Sequence, residues 1–407
     1  MKFMKAERFL TIKYCSMQML YFGESIALCG YATLYMLEKG FSNSVIGITL
    51  SLINILSIFV QSAVSSFCDR HKEIDIRHVV IVILGLVFLL SLSIGFVGAG
   101  SGMLLCIFVT LYTAHQTISP LINSMAFLFE KHGIRINFGL GRGMGSATYA
   151  TVSLILGFVT EYYGVDILPL FYMTFCLLLI IVVRFYTIPA GQYGRQPGKG
   201  ENTAEDGQDD SGQVRPALSF PAFMIRYKRF TIFCLGATMV YFTHIIITTY
   251  TIQIVQSIGG DESDMGLAVF IACIMELPAM ALFEHFRVRW GCRKVMICSM
   301  CCFLLKHTLT MLVPSVAMLY GVQLLQFFGF GLFFPAAVYY GNQVVAEEDA
   351  VKAQALVQMS YTISAIYASL AGGLLLDWVG VKTLLLVGVG FSIAGLLVCM
   401  LYTDRDV

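Results

Sequence analysis

Residues 192–219 read QYGRQPGKGENTAEDGQDDSGQVRPALS, a polar run with no counterpart elsewhere in the chain. It lies within an interruption from Gly191 to Ser219 that is rich in Gly, Gln and acidic residues. Six long apolar stretches precede it, at 14–36, 45–67, 78–98, 103–129, 141–162 and 168–189. Six more follow, at 230–256, 265–286, 295–313, 316–341, 353–376 and 382–402. A hydrocarbon core about 30 Å thick needs roughly twenty apolar residues per helix. Unpaired backbone polarity forces such spans to be helical unless they close a barrel. The pattern predicts an all-α membrane protein with twelve transmembrane helices in two pseudo-symmetric six-helix lobes. The lobes are expected at 1–190 and 230–407, joined by a linker at 191–229.

Composition narrows the function. Hydrophobic residues make up 57% of the chain and charged ones 13%, against about a quarter charged in soluble domains. A net charge of +1 gives no basic face for nucleic acid. With only short loops in water, no separate catalytic domain is expected, and the chain reads as a non-enzyme without cofactor or metal. Lys2, Lys5, Arg8 and Lys13 precede a first apolar run too long for a signal-peptide core, so that run is expected to stay as the first transmembrane helix. The twelve cysteines lack paired metal or disulfide spacings and read as small hydrophobes. His115, His244 and His307 fall on separate spans without a His-Glu-x-x-His pattern, which disfavours an intramembrane enzyme.

Alternate loops sort by basic residues. One side holds the N-terminus, Arg70/Lys72/Arg77, Lys131/Arg135, Arg226/Lys228/Arg229, Arg287/Arg289/Arg293/Lys294 and Lys352. The other carries only Lys39 and Lys382, with acidic tips at Asp261, Glu262 and Asp264. The positive-inside rule then puts both termini and the linker in the cytoplasm, in a cytoplasmic (inner or plasma) membrane.

Polar residues inside spans are costly and normally face a bundle interior or a water-filled cavity. They recur on one face as Tyr21, Glu24, Tyr31 and Tyr35 in the first span and as Asn54, Gln61 and Ser65 in the second. The fourth span has Tyr112, Gln116, Ser119 and Asn123, and the seventh has Tyr241, His244, Thr248 and Thr251. A single stripe is explained by interhelical hydrogen bonding; stripes on many helices fit a hydrated central cavity. In the fifth span, Gly141 and Gly145 allow close helix contact, while Arg142, Ser146, Tyr149 and Ser153 form a neighbouring column. A guanidinium offers a planar fork of donors to paired oxygens, though Arg142 could also snorkel to the interface. Glu276 and Lys306 lie mid-span in the eighth and ninth stretches. Such charges are expected to pair, with Glu276 taking a proton and Glu24 as a second carboxylate.

The turns Ser65-Ser66-Phe67-Cys68-Asp69-Arg70-His71-Lys72 and Arg287-Val288-Arg289-Trp290-Gly291-Cys292-Arg293-Lys294 occupy matching places in the two halves. They resemble the loop signature of the major facilitator superfamily, Gly-x-x-x-Asp-x-x-Gly-Arg-Lys, although Ser65 stands where Gly is usual. Gly139-x-x-Arg142-x-x-Gly145-Ser146-x-x-Tyr149 further resembles the fifth-helix motif of the lactose permease group, the oligosaccharide:proton symporters. That resemblance implies the major facilitator fold, with Arg142 binding sugar and Tyr149 stacking on it. Lys306 falls where that group has a basic residue. Ser124, Gln326 and Gly329 stand where it has an acid, a histidine and a carboxylate. Lactose is therefore not the expected substrate, and proton coupling must use Glu276 or another acid; Gln323, Gln326 and Tyr340 remain to line the tenth span.

The sequence thus predicts a secondary transporter working by alternating access. A sugar or nucleoside-like solute would be bound by Arg142, Tyr149, Ser146, Gln116, Asn123, Tyr31, His244 and Gln326. Coupling would use Glu276, Lys306 and Glu24. The expected partners are a small-molecule substrate, a proton and the lipid bilayer around a monomer. Drug or metabolite efflux, and a transporter-like sensor without flux, are the alternatives.

Overall fold

The computed structural model describes residues 2–71, 73–129, 134–187 and 219–403, with side chains from residue 7 onward. The expected linker therefore lies outside the described residues except for 219–229, as do Lys72 and Lys131. The first lobe holds α1 (Lys2–Ser25), α2 (Ala32–Glu38), α3 (Asn43–Arg70), α4 (Ile76–Ile94), α5 (Gly102–Ser124), α6 (Phe138–Tyr163) and α7 (Leu168–Arg184). A short helix, α8 (Phe220–Arg226), leads into α9 (Lys228–Thr249) and α10 (Thr251–Ser257). The second lobe continues with α11 (Glu262–Trp290), α12 (Cys292–Leu312), α13 (Val316–Gln323), α14 (Phe330–Val344) and α15 (Ala350–Tyr402).

Among the described residues, ten helices are long and apolar enough to cross a membrane. The difference from the expected twelve has two local causes. The first span is split, because a π-turn at Ile26–Gly30 separates α1 from α2. The eleventh and twelfth stretches run together as α15, whose 53 residues would extend about 80 Å if straight. Gly380 breaks that helix with φ 76°, ψ 176°, a conformation open to a residue without Cβ. The first helix also begins at Lys2 rather than near residue 14.

Helix ends are capped by residues expected to cap. Ser42 accepts from the Val45 amide (3.3 Å), Ser101 from Leu104 (3.2 Å) and Asn137 from Leu140 (2.9 Å). Asp261 and Asp264 form a reciprocal capping box on α11, satisfying donors that the first turn leaves orphaned. In the turn before α4, the Arg77 guanidinium holds the Asp75 carboxyl below its usual range. Arg77 also donates to the Tyr186 carbonyl (2.9 Å), tying α4 to the end of α7.

The lobes share internal irregularities as well as helix order. The first span of each lobe is broken, at Ile26–Gly30 in one and at Tyr250 in the other. A break exposes carbonyls that have lost their helical partners, and Thr33 donates across the lobes to one of them, at Thr249 (2.8 Å). The tenth span is interrupted between α13 and α14 by a 3-10 turn at Leu324–Gln326. Mid-helix 3-10 stretches often coincide with hinges or with local strain.

The lobes meet along two crossings, α6 against α11 and α3 against α15. Both close in the half of the bundle remote from the termini. A methyl on Gly157 would lie 2.9 Å from the Glu262 carbonyl and 3.0 Å from the Gly266 Cα, so the two backbones touch there. Ser153 Oγ donates to the Gly266 carbonyl (3.3 Å). The Asp377 carboxylate, at the far end of the eleventh span, accepts from Ser44 N (2.7 Å), Asn43 N (3.2 Å) and Asn43 Nδ2 (2.9 Å). An acceptor from one lobe thus satisfies the first turn of α3 in the other, where the helix dipole favours negative charge. Toward the opposite end, a Cβ placed on Gly143 would meet none of the described residues within 4 Å, and Leu140 and Met280 are exposed. Asp377→Ala should cost roughly 1 kcal/mol of this contact, the scale of a lost helix cap. Hydrogen exchange at the Asn43 and Ser44 amides should accelerate several-fold; unchanged exchange would mean the latch is not holding that end.

Candidate functional site

A cavity of about 360 Å³ opens between the lobes at mid-depth. The first lobe contributes Ile26, Cys29 and Gly30 from the π-turn, Thr33, Asn54, Tyr112, Gln116 and Tyr149. The second contributes His244, Thr248 and Thr251 from α9–α10, Cys273 and Glu276, Lys306, Gln323 and Gln326, Phe330 and Tyr361. The broken segments supply much of this lining. The 3-10 turn at 324–326 brings Gln323, Gln326 and Phe330 to the cavity together.

Its charged end is a three-residue chain. Gln326 Nε2 donates to Glu276 Oε1 (2.6 Å), and the Lys306 ammonium donates to the Gln326 Oε1. The expected direct pair between Glu276 and Lys306 is thus corrected to a bridged one, because the amide inserts between the two charges. Lys306 and Gln326 are 1% and 2% exposed, whereas Glu276 is half-buried and reaches the cavity. Burying an ammonium is tolerable only with such partners. Beside it, His244 stacks on Phe330 (centroids 5.0 Å apart) and meets the Phe303 ring edge-on (5.4 Å). The His244 Nδ1 is buried without a hydrogen-bond partner among the described residues. Tyr361 packs against both Phe330 (6.2 Å) and Tyr241 (5.3 Å), giving the second-lobe wall an aromatic surface.

Of the residues singled out from sequence, Tyr149, Gln116, His244, Gln326, Glu276 and Lys306 converge on this cavity, joined by Gln323 and by Asn54, Tyr112, Thr248 and Thr251 of the polar stripes. The remaining site candidates lie elsewhere. Arg142 sits over the Phe22 ring at 4.8 Å, about 10 Å down the helix axis from Tyr149, and neither it nor Ser146 lines the cavity. The cause is the packing of α6 on α1, where Gly141 faces Tyr14 and Gly145 faces Phe22. Asn123 accepts from Gln18 Nε2 (3.0 Å), joining α5 to α1. Tyr31 spends its hydroxyl on the Ser153 carbonyl (2.7 Å). Glu24 is wholly buried behind the cavity wall, and Tyr340 is buried against Phe230 and Phe233. Conversely, Tyr361 was not anticipated. Its signal was available: Tyr361, Ala365 and Ser369 recur every four residues and all line the cavity.

Two lobes with broken helices around a central polar cavity define a membrane transporter of the alternating-access type. The chain belongs to the MFS_1 like family, which matches it over residues 11–387. It is similar to the uncharacterized transporter YwbF of Bacillus subtilis, with 25% identity over 366 residues covering 88% of this chain and 84% of the relative. It is also similar to the maltose permease of Geobacillus stearothermophilus, with 24% identity over 385 residues, 93% of this chain and 91% of that one. Among solved structures it resembles two of the nucleoside transporter NupG, with TM-scores of 0.77 and 0.75 at 16% identity, covering 97–98% of this chain and 100% of theirs. A bacterial homologue of the iron transporter ferroportin, in its inward-facing state, superposes with a TM-score of 0.68 at 14% identity, over 97% of this chain and 99% of that one. These structural likenesses concern the fold. The protein is an integral membrane transporter.

Proposed function

We infer that the chain is a proton-coupled secondary transporter for a small, neutral, polar solute of sugar or nucleoside type, moved without covalent chemistry. The observation that carries this reading is the bridged chain Glu276–Gln326–Lys306 at the wall of a cavity otherwise furnished with amides, hydroxyls and aromatic rings. Amide and hydroxyl groups suit a ligand with several hydroxyls, and Tyr112, Tyr149, Phe330 and Tyr361 offer flat faces for a sugar or base. The volume is within the range of small-molecule sites. The likeness to a maltose permease and a nucleoside transporter supports the same substrate classes.

Substrate would contact Tyr149, Gln116, His244 and Gln326, and Glu276 would take and release the driving proton. Arg142 and Ser146, toward the end that carries the termini, would meet the solute on its way in or out. Counting the split first span and both halves of α15, we take the bundle to cross the membrane twelve times, as a monomer. The basic turns support cytoplasmic termini, and we take the end that carries the termini to be the open, inward-facing one. The lobes would be residues 1–190 and 230–407 with the linker between.

A thermal-shift panel on the purified protein tests the substrate class, because a ligand binding only the folded state raises apparent stability. Sugars or nucleosides should raise the melting temperature of the wild type and not of Tyr149→Ala. A shift with amphiphilic cations alone would favour the efflux reading.

A further inference from the structure

Behind the cavity wall lies a second pair of ionisable groups that substrate does not reach. Glu24 and His115 are both 0% exposed. His115 Nδ1 is 3.6 Å from Glu24 Oε1, just beyond hydrogen-bond reach. Among the described residues, neither carboxylate oxygen of Glu24 has a hydrogen-bond partner, and neither does His115 Nδ1. The imidazole is held in place from its other side. Its Nε2 meets Ser25 Oγ at 2.8 Å, and its ring stacks on Tyr21 with centroids 4.8 Å apart and planes 7° apart.

We propose that Glu24 and His115 together hold one proton and form a proton-binding site distinct from Glu276. The argument is one of charge. A carboxylate taken wholly out of water without hydrogen bonds or a counter-charge costs several kcal/mol. Glu24 is therefore neutral, or paired with a protonated His115, and in either form the pair carries one proton more than a free carboxylate beside a neutral imidazole. Among the described residues, the titratable groups that feel the Glu24 charge are Tyr21 and Cys29 on the same segment and Cys176 on α7, with Tyr112, one turn from His115 on α5, beside Tyr21 and Cys29. None of these supplies a positive charge, which leaves His115 as the base.

The position also connects the pair to transport. Ser25, which holds the imidazole, is the residue immediately before the π-turn, and Ile26, Cys29 and Gly30 of that turn line the cavity. His115 is flanked along α5 by Tyr112 and Gln116, which line it too. Movement of the π-turn when the cavity fills or empties would open the pair to water, and the proton would pass to that water. This role in driving flux rests on the reading of the chain as a proton-coupled transporter; the proton site itself does not.

The test is proton counting on the purified full-length protein in nanodiscs, with an indicator dye and small pH steps, alongside pH-induced infrared difference spectra. Glu24→Gln should bind one proton fewer than wild type and lose a carboxyl band. Glu276→Gln should keep that band. His115→Asn, which preserves a hydrogen-bonding group without a base, should displace the midpoint of the same band, and this serves if Glu24→Gln fails to fold. An unchanged proton count and spectrum in both Glu24→Gln and His115→Asn would overturn the proposal, whatever their stability. A missing proton in Glu24→Gln, with no solute flux by the wild type, would leave the site standing and remove the transport reading.

Discussion

Replacing Gln326 with leucine should destabilise the protein by on the order of 3 kcal/mol, since a hydrogen bond to a charged group contributes about 1.5–3 kcal/mol. The side chain is 2% exposed and serves two charges at once, accepting from Lys306 and donating to Glu276 at 2.6 Å. Leucine fills the same space but leaves a buried ammonium facing hydrocarbon. The loss should appear as a lower apparent melting temperature in detergent and as loss of solute accumulation. A double-mutant cycle separates the bridge from simple packing. Once Lys306→Met has removed the ammonium, adding Gln326→Leu should cost clearly less than it does alone. Strict additivity would mean that Gln326 packs there without bridging.

Gly266→Leu should cut transport by roughly tenfold or more while leaving the lobes folded. A Cβ on Gly266 would lie 2.7 Å from the Ser153 carbonyl, 2.8 Å from the Gly157 Cα and 2.9 Å from the Tyr31 hydroxyl. Two of these are backbone atoms that cannot step aside as a flexible side chain does. Overpacking of this kind costs about 1–3 kcal/mol, and each 1.4 kcal/mol moves a conformational equilibrium about tenfold. The variant should therefore disfavour closure of the α6–α11 crossing and hold that end apart. Spin labels on the exposed Ile48 and Leu386, with exposed Cys106 and Cys301 replaced by serine, should report a longer distance than in the unmodified background. A distance and flux both equal to wild type would mean that the crossing does not work as a gate.

The fold was legible because a membrane imposes length and hydrophobicity on each helix separately. Breaks inside spans were not. The π-turn after Ser25 and the 3-10 turn at Leu324–Gln326 occur in runs as apolar as their neighbours, and only packing reveals them. The same breaks explain the candidate site. Polar residues such as Gln116, His244, Glu276, Lys306 and Gln326 stood out against apolar spans, whereas Phe330 has the look of any lipid-facing ring. Periodicity also gives a face without a depth. Arg142 and Tyr149 share a helical face, yet Tyr149 alone of the two lines the cavity, while Arg142 rests on Phe22 about two turns away.

Two buried chemistries now stand on opposite sides of one cavity: the Glu276–Gln326–Lys306 chain in the second lobe and the Glu24–His115 pair in the first. Only the former lines the cavity. The π-turn separates the latter from it by a single segment of backbone, so solute and proton would act on the same hinge from two sides.

The most direct test of alternating access driven through Glu276 is uptake of radiolabelled sugars and nucleosides into proteoliposomes, with and without an inward proton gradient. The wild type should accumulate its solute only with the gradient. Glu276→Gln should lose accumulation yet still exchange labelled for unlabelled solute across the membrane. A solute that binds the purified wild type but shows neither accumulation nor exchange would contradict the account and identify the chain as a binding protein built on a transporter fold.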